Sequence, residues 1–449
     1  MTAVPAGRGT GRGGGSRAVP VLLAFVAVFI AAVNLRAGIA SLGPVLADVL
    51  AACGAGGSMA GAVTAMPGLF FAIMGLLAVP LASRFGLSAM LTAGMVLTLA
   101  GLALRPWVGD IWIFLALTAS VVAGIALANV LLPAWIKNHG GRHIVALMTI
   151  YTSVLGLSGA LGPLSALLFE WRGALFAWAI LAAAQVVVWL IVAARTGFDF
   201  PSGGRTRIPH DDIAEAAPGP AASTPAEAAS APEAEATSAA GAAPADWLRT
   251  SLWKAPTAIF LMLFFGLQST NAYIQMGWLP QIYRDAGLDA SVGSIGLSLV
   301  GALNVIGGLV MPTLIDRVRN AALFPVLFSV ITAVGYAGLL LVPDVLPLLW
   351  AAILGLGGFC FPTALALIPA KSRNPLVTAR LSGFVQPFGY LLAAAGPFLV
   401  GVVYGRTGEW SGILVVLILV TVLMALCGFR GARTGWIDDE LMGASRPRP

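Results

Sequence analysis

Charge is what this chain has least of. Of its 449 residues only 10% are Asp, Glu, Lys or Arg, where an ordinary soluble domain carries about 25%. With 59% hydrophobic side chains it cannot cover itself with a water-facing surface, which excludes an ordinary soluble protein. Cysteine is scarce too. Cys53, Cys360 and Cys427 lie far apart with no metal or redox spacing, and read as small apolar packing residues. Of three histidines, His139 and His143 share one short loop and His210 falls in a polar stretch. No zinc site and no cofactor is expected. The net charge of +6 suggests nucleic acid only until the charges are placed. They fall at the ends of apolar runs, where they set membrane topology.

What is present is a series of apolar runs of roughly 20 residues, each long enough to cross a bilayer as a helix. The first, from Val21 to Ala40, carries Asn34 and Arg36. An arginine at mid-membrane depth costs about 2.5–3.5 kcal/mol on insertion scales. Arg36 lies sixteen residues past Pro20, roughly 24 Å along a helix, and apolar residues continue beyond it to about Val49. Snorkelling to a headgroup is therefore disfavoured. A cavity-facing functional arginine is preferred over a structural one bonded to a neighbouring helix.

Twelve spans are expected near 20–47, 59–82, 88–105, 110–133, 144–168, 173–195, 254–280, 291–314, 321–342, 345–369, 376–404 and 409–430. The Gly-rich segment 1–18, with Arg8, Arg12 and Arg17, precedes a run too long for a signal-peptide core, so the first helix is read as uncleaved. Its Gly-x-Gly pattern at Gly7–Gly11 opens no strand–helix unit and is no nucleotide site. Between 214 and 245, sixteen of 32 residues are Ala and five are Pro, a composition that cannot build a core. The expected division is an N-terminal tail (1–18), a six-helix bundle (19–195), a disordered linker (196–252), a second six-helix bundle (253–430) and a C-terminal tail (431–449). If both termini are cytoplasmic, inside segments hold twenty of 25 Lys and Arg, and outside loops hold Arg105, Arg172, Arg284 and Arg406. That asymmetry indicates a multi-pass protein of the cytoplasmic membrane with tails and linker inside.

The two halves repeat each other. Val79-Pro80-Leu81-Ala82-Ser83-Arg84 closes the second span as Met311-Pro312-Thr313-Leu314-Ile315-Asp316-Arg317 closes the eighth. Leu132-Pro133-Ala134 pairs with Ile368-Pro369-Ala370, and Gly162-Pro163 with Gly396-Pro397. The offsets are 232, 236 and 234 residues. A parallel six-plus-six repeat is the layout of carriers whose halves rock about a central site.

The segments Asn34-Leu35-Arg36, Asn129-Val130-Leu131-Leu132-Pro133 with Lys137, and Trp278-Leu279-Pro280 resemble the cyanate permease and nitroimidazole transporter family of the major facilitator superfamily. The resemblance covers nearly the whole chain outside tails and linker. It implies an all-α fold of twelve membrane helices and a transporter, not an enzyme. The superfamily's inner-loop motif, Gly-x-Leu-Ala-Asp-Arg-x-Gly, is similar to Leu81–Gly86, with Ser83 in place of the acid, and to Leu314–Arg317, which keeps Asp316. The resemblance implies a conformational latch at Ser83, Arg84, Asp316 and Arg317, weakened in the first half because serine carries no charge. Ala37 follows Arg36 where the family's pattern has proline, leaving any kink there to Gly38.

The polar residues at mid-membrane depth are few. Asn34 and Arg36 are two apart, hence about 200° apart on a helix, so both face one cavity only if the helix unwinds near Gly38; otherwise Asn34 serves a neighbouring helix and Arg36 the ligand. Gln268, Asn271 and Gln275 form an i, i+3, i+7 stripe with Tyr273 beside it. Offsets within the same range, 234 and 235 residues, carry Asn34 to Gln268 and Tyr151 to Gln386. Asn129 has two readings: a bond to the carbonyl freed by Pro133, or a substrate contact. Trp135, Trp278 and Trp350 are expected to anchor at the membrane interface. The candidate substrate site is therefore Arg36, Asn34, Asn129, Tyr151, Gln268, Asn271, Tyr273 and Gln386.

One positive charge among amides and phenols suits a small anion, or a polar molecule with an electron-rich end, over a cation. No acid lies deep in a span. Coupling is left open between proton symport, anion exchange and facilitated diffusion, and a monomer in the bilayer is expected. A membrane enzyme would need a His–acid or metal cluster at depth, which the sequence does not supply. A channel fits the hydropathy and leaves the repeat unexplained. Export of a neutral drug-like compound is the alternative carrier.

Overall fold

A bilayer offers no water to backbone N–H and C=O groups, so each apolar run must satisfy them within itself. A computed structural model describes residues 19–200, 250–318, 320–433 and 435–445, and twelve of its helices are long and apolar enough to cross a membrane. The first half contains α1 (Val21–Ala40), α2 (Leu42–Ala52), α3 (Gly57–Phe85), α4 (Leu87–Leu104), α5 (Ile111–His139), α6 (Ile144–Leu161), α7 (Ser165–Leu168) and α8 (Trp171–Thr196). The second contains α9 (Pro256–Asp285), α10 (Ala290–Arg317), α11 (Leu323–Leu341), α12 (Pro347–Gly357), α13 (Cys360–Ala370), α14 (Pro375–Thr407), α15 (Ser411–Ala432) and α16 (Ile437–Ser445). No strand occurs among the described residues. The expected tail 1–18 and the central part of the expected linker, 201–249, lie outside the described residues, as do 446–449.

Each half has its own apolar core. One is centred on residues such as Val28, Leu91, Ile125, Trp135 and Trp189, the other on Phe264, Phe265, Met311, Leu367 and Met424. A third cluster joins the halves at the end of the molecule far from the chain termini, where Leu42 and Val49 of α2 meet Ile274 and Trp278 of α9. Many large apolar side chains are exposed, among them Leu22, Leu168, Leu341 and Leu419. On membrane-spanning helices these are the lipid-facing surface.

The first span differs from expectation. Gly38 does not unwind; it sits inside α1, with Ile125, Leu102 and Val121 in van der Waals range of where a Cβ would be. The helix breaks instead at Ser41. Two causes are visible. The carbonyl of Gly38 is taken by Arg105 Nη2 at 2.9 Å, and Pro44 has no N–H to offer the turn before it.

The far ends of the two halves are sealed by glycine. A Cβ on Gly43 would lie 2.1 Å from the carbonyl oxygen of Met276, and one on Gly401 would lie 2.3 Å from Gly61 Cα. Gly57 meets Gly405 in the same way, and Gly301 meets Ala160. Small residues let helix backbones approach this closely. An ion pair, Arg284 Nη1 to Asp48 Oδ1 at 3.2 Å, crosses the same rim.

At the opposite end, acids from the segment leaving each half fold back onto helix N-termini. Asp199 accepts from Ser88 N (3.0 Å), Ser88 Oγ (2.6 Å) and His139 Nε2 (2.9 Å) at the start of α4. Burial pushes this carboxyl up, but the bonds from His139 and Ser88 outweigh it and hold Asp199 below the usual carboxylate range. In the second half Asp438 accepts from the backbone N–H groups of Arg373 and Asn374, Glu440 accepts from Thr257, and Lys371 donates to the Arg433 carbonyl. The described ends of the expected linker are thus ordered: Asp199, Phe200 and Leu252 are all buried. The described part of the expected C-terminal tail carries the short helix α16.

Candidate functional site

Between the halves lies a cavity of about 650 Å³, in the range of small-molecule pockets, about 300–1,000 Å³. Its walls reach Leu76 and Val79 near the end of α3, Leu252 ahead of α9, and Ala379 and Arg380 in the first turns of α14. All of these lie toward the end that holds the chain termini. The glycine seam closes the other end.

Arg36 enters the cavity from α1. Ser158 Oγ accepts from the backbone N–H groups of Arg36 (3.2 Å) and Ala37 (3.0 Å), pinning α6 to α1 beside the side chain. Gly159 leaves room for the stem, since a Cβ there would stand 3.3 Å from Arg36 Cδ. The guanidinium makes no hydrogen bond or ion pair among the described residues. It lies 5.6 Å from the centroid of the Phe361 ring, within cation–π range, and in electrostatic reach of Tyr151, Tyr273 and Tyr390.

The structure gathers most of the expected polar residues around it. Gln268, Asn271, Tyr273 and Gln275 of α9, Asn129 of α5 and Gln386 of α14 all line the cavity. Several are already bonded within their own surroundings: Gln268 to Ser269 Oγ (2.6 Å), Gln386 to Ser382 Oγ (2.7 Å), and Gln275 to Tyr336 Oη (3.3 Å). Asn271 donates to Leu267 O (2.9 Å) and leaves its own Oδ1 buried with no partner. The carbonyl freed by Pro133 is that of Asn129 itself, and the Asn129 side chain bonds a different one. The side chain donates to Ile125 O (3.0 Å), accepts from Tyr151 Oη (3.2 Å), and still faces the cavity.

Two expected substrate contacts are not on the cavity wall. Asn34 is fully buried and donates to Gln185 Oε1 of α8 at 3.1 Å. Because α1 stays helical through Gly38, the residue two before Arg36 is turned away from it, so Asn34 does not face Gln268. Tyr151 is also fully buried and stands behind Asn129 as its hydrogen-bond donor. Two of the expected interface tryptophans are core residues. Trp135 donates to Ser88 Oγ (2.8 Å) and packs on Trp189, while Trp278 is buried against Tyr404 and Trp410.

The latch residues are exposed at the open end. Ser83 Oγ donates to Pro80 O in its own helix, Arg84 lies over Phe85, and Asp316 and Arg317 make no bond among the described residues. No bond joins these residues across the halves in this arrangement.

Four residues of interest escaped the sequence reading. Asn304 of α10 and Tyr390 of α14 line the cavity, and each had a signal: a lone amide deep in a span, and a phenol four residues after Gln386. Arg380 also lines the cavity and donates to Thr250 O at 2.7 Å. Arg105, placed by charge counting in an outside loop, is 1% exposed and packed within the third span. Neither arginine's position could be read from spacing, because both stand where an apolar run meets a basic residue.

The Major Facilitator Superfamily profile matches residues 24–397. YycB, an uncharacterised transporter of Bacillus subtilis (strain 168), is 29% identical over 418 residues, spanning 91% of this chain and 93% of the relative. The 2-nitroimidazole transporter of Escherichia coli (strain K12) is 28% identical over 414 residues, 90% of this chain and 94% of that protein. The cyanate transport protein CynX of the same organism is 24% identical over 383 residues, 84% and 88% of the two chains. The solved structure of the nucleoside transporter NupG is alike in fold, with a TM-score of 0.65 at 14% identity over 92% of this chain and 99% of that one. A profile match over most of the length, on a frame of twelve apolar helices divided about a central cavity, leads to one conclusion: the chain belongs to the major facilitator superfamily, with relatives among the cyanate and nitroimidazole transporters, and is a multi-pass membrane transporter rather than an enzyme.

Proposed function

We propose that this protein is a secondary carrier that moves a small anionic or electron-rich solute by alternating access, with Arg36 as the anchor. The observation that carries the reading is the guanidinium itself. It stands in the wall of a central cavity with no carboxylate bonded to it and with amides and phenols around it. In such a low-dielectric space its attraction to an anion is strengthened and a cation is repelled. Asn129, Gln268, Asn271 and Gln386 supply hydrogen bonds that orient the solute, while Tyr273, Tyr390 and Phe361 offer faces to a planar body. Tyr151 acts through Asn129. The 2-nitroimidazole and cyanate that name two relatives are both small and present an end with negative charge or negatively polarised oxygens, which supports the same solute class here.

The distribution of basic residues supports a cell-membrane protein with both termini in the cytoplasm; in that orientation the cavity opens inward and the glycine seam faces outside. Ser83, Arg84, Asp316 and Arg317 latch the inner end in the opposite state. The carrier works as a monomer. No Asp, Glu or His lines the cavity among the described residues, so the driving ion is a proton held elsewhere or a counter-anion exchanged through the same site. A second reading, export of a neutral nitroaromatic-like compound, is favoured by the volume of the cavity and its aromatic walls, which exceed what a triatomic anion needs.

The test is counterflow in proteoliposomes with cyanate, nitrite, benzoate and 2-nitroimidazole, wild type against Arg36→Gln. Losing a charge-assisted hydrogen bond costs about 1.5–3 kcal/mol, so the variant should bind the accepted solute about ten- to 150-fold more weakly. Unchanged kinetics would remove Arg36 from the site. Preference for outward flux of the nitroaromatic would select the second reading.

A further inference from the structure

Arg105 is a buried arginine that nothing in the carrier scheme uses. It caps the C-terminus of α4, is 1% exposed, and spends one N–H on Gly38 O (2.9 Å). Its Nε is buried with no hydrogen-bond partner among the described residues. Among the described residues, no carboxylate lines the space around it. That space is a void of about 20 Å³, enough for one water-sized body, which needs about 10–15 Å³.

The void has a second unpaired donor. Thr118 of α5 is 2% exposed and its Oγ1 has no partner. Other buried threonines here return their hydroxyl to the carbonyl four residues back, as Thr98 does to Gly94 and Thr363 to Phe359. Thr64, also on the wall, spends its proton on Ala60 O (2.8 Å). The groups free to act on an occupant are therefore a guanidinium N–H and a hydroxyl proton, both donors, together with a whole positive charge. A water would satisfy the donors and leave the charge unpaired. A buried charge without a counter-charge is costly, and a monatomic anion meets all three demands.

The void's place in the molecule gives it a role. Ile39, Tyr273 and Met276 line both this void and the main cavity, so one layer of side chains separates the two. On its other side are Leu42 and Gly43, where α2 meets α9 in the seam. We propose that Arg105, Thr118 and this void form a halide-sized anion site, filled by chloride, stationed between the central cavity and the sealed end. The assignment stands on Arg105 and Thr118 and not on the solute reading of Arg36, so each can fail alone.

The test uses the full-length protein, purified and exchanged into sodium gluconate. Its thermal transition is followed as sodium chloride or sodium bromide replaces gluconate at constant ionic strength. A ligand that binds the native state raises the transition by mass action. The wild type should show a saturable rise with either halide. Thr118→Val, isosteric and lacking the donor, should raise the half-saturating concentration about tenfold or more. Arg105→Gln should remove the rise, and Arg36→Gln should leave it unchanged. Should Arg105→Gln not fold, Thr118→Val with Arg36→Gln as its control carries the test. A bromide anomalous peak beside Arg105 would locate the ion. No halide-specific rise in the wild type, a rise unaltered by Thr118→Val, or one lost in Arg36→Gln would each overturn the proposal; the last would assign the halide to the central cavity.

Discussion

The glycine seam makes the sharpest mechanical prediction. Gly401→Ala adds a carbon 2.3 Å from Gly61 Cα, where contact between carbons lies near 3.5–4.0 Å. With backbone on both sides, no side chain can swing aside, so α3 and α14 must part by about 1.2 Å or more. Overpacking of this kind costs about 1–3 kcal/mol. If only the sealed state makes this contact, the cost falls on that state alone and shifts the ratio of sealed to parted molecules about 5- to 150-fold. Gly43→Ala, whose Cβ would meet Met276 O at 2.1 Å, should act in the same direction through α2 and α9. The assay is a spin–spin distance distribution between labels on Ala55→Cys and Glu409→Cys, residues that flank the seam at the far end. The parent should give a short distance, and Gly401→Ala should populate a longer one. Gly412→Ala, at a glycine with nothing within 4 Å of its Cβ position, is the control. Distances and exchange flux that match the parent in both seam variants would refute the view that close glycine contact holds this end shut.

Asn34→Ala should lower thermal stability by about 1–3 kcal/mol, because it strands the buried Gln185 amide, while leaving solute KM unchanged; a KM shift at intact stability would return Asn34 to the site. Asp48→Asn removes an ion pair whose side chains are 47% and 31% exposed, so calorimetry should detect no more than about 1 kcal/mol. For Asp199, a carboxyl held below its ordinary value stabilises fully above that unfolded-state value, near 3.9. The contribution is lost as pH falls through the lower folded-state value. Asp199→Asn should therefore lower the transition at neutral pH, by roughly 0.5–2 kcal/mol as for loss of a helix cap, and the gap from wild type should close in acid. A gap that widens on acidification would contradict the clasp.

Apolar length and repeat spacing were enough to place the twelve spans, because a helix in lipid has few alternatives and its period is local. The same holds for Gln268, Asn271 and Gln275, which share a face by spacing alone. For Asn34 the helix period allowed a neighbouring helix or the cavity, and sequence cannot choose between them. Its partner, Gln185, is 151 residues away, and only packing of α8 on α1 shows that the amide is already engaged. The break at Ser41 likewise depends on Arg105, 67 residues from the carbonyl it captures. Burial of Trp135 and Trp278 follows from neighbours on other helices, so their position in the chain pointed to the interface when their surroundings did not.

The clasps formed by Asp199 in one half and by Asp438 and Glu440 in the other have a consequence for how the machine bears load. Each fastening ties a bundle to the segment that leaves it, and among the described residues none reaches across to its counterpart. A rocking motion can therefore leave both fastenings intact while the seam and the ion pair at the rim come apart. Amide exchange at Ser88, Thr257 and Arg373 should stay equally slow whichever way the carrier faces.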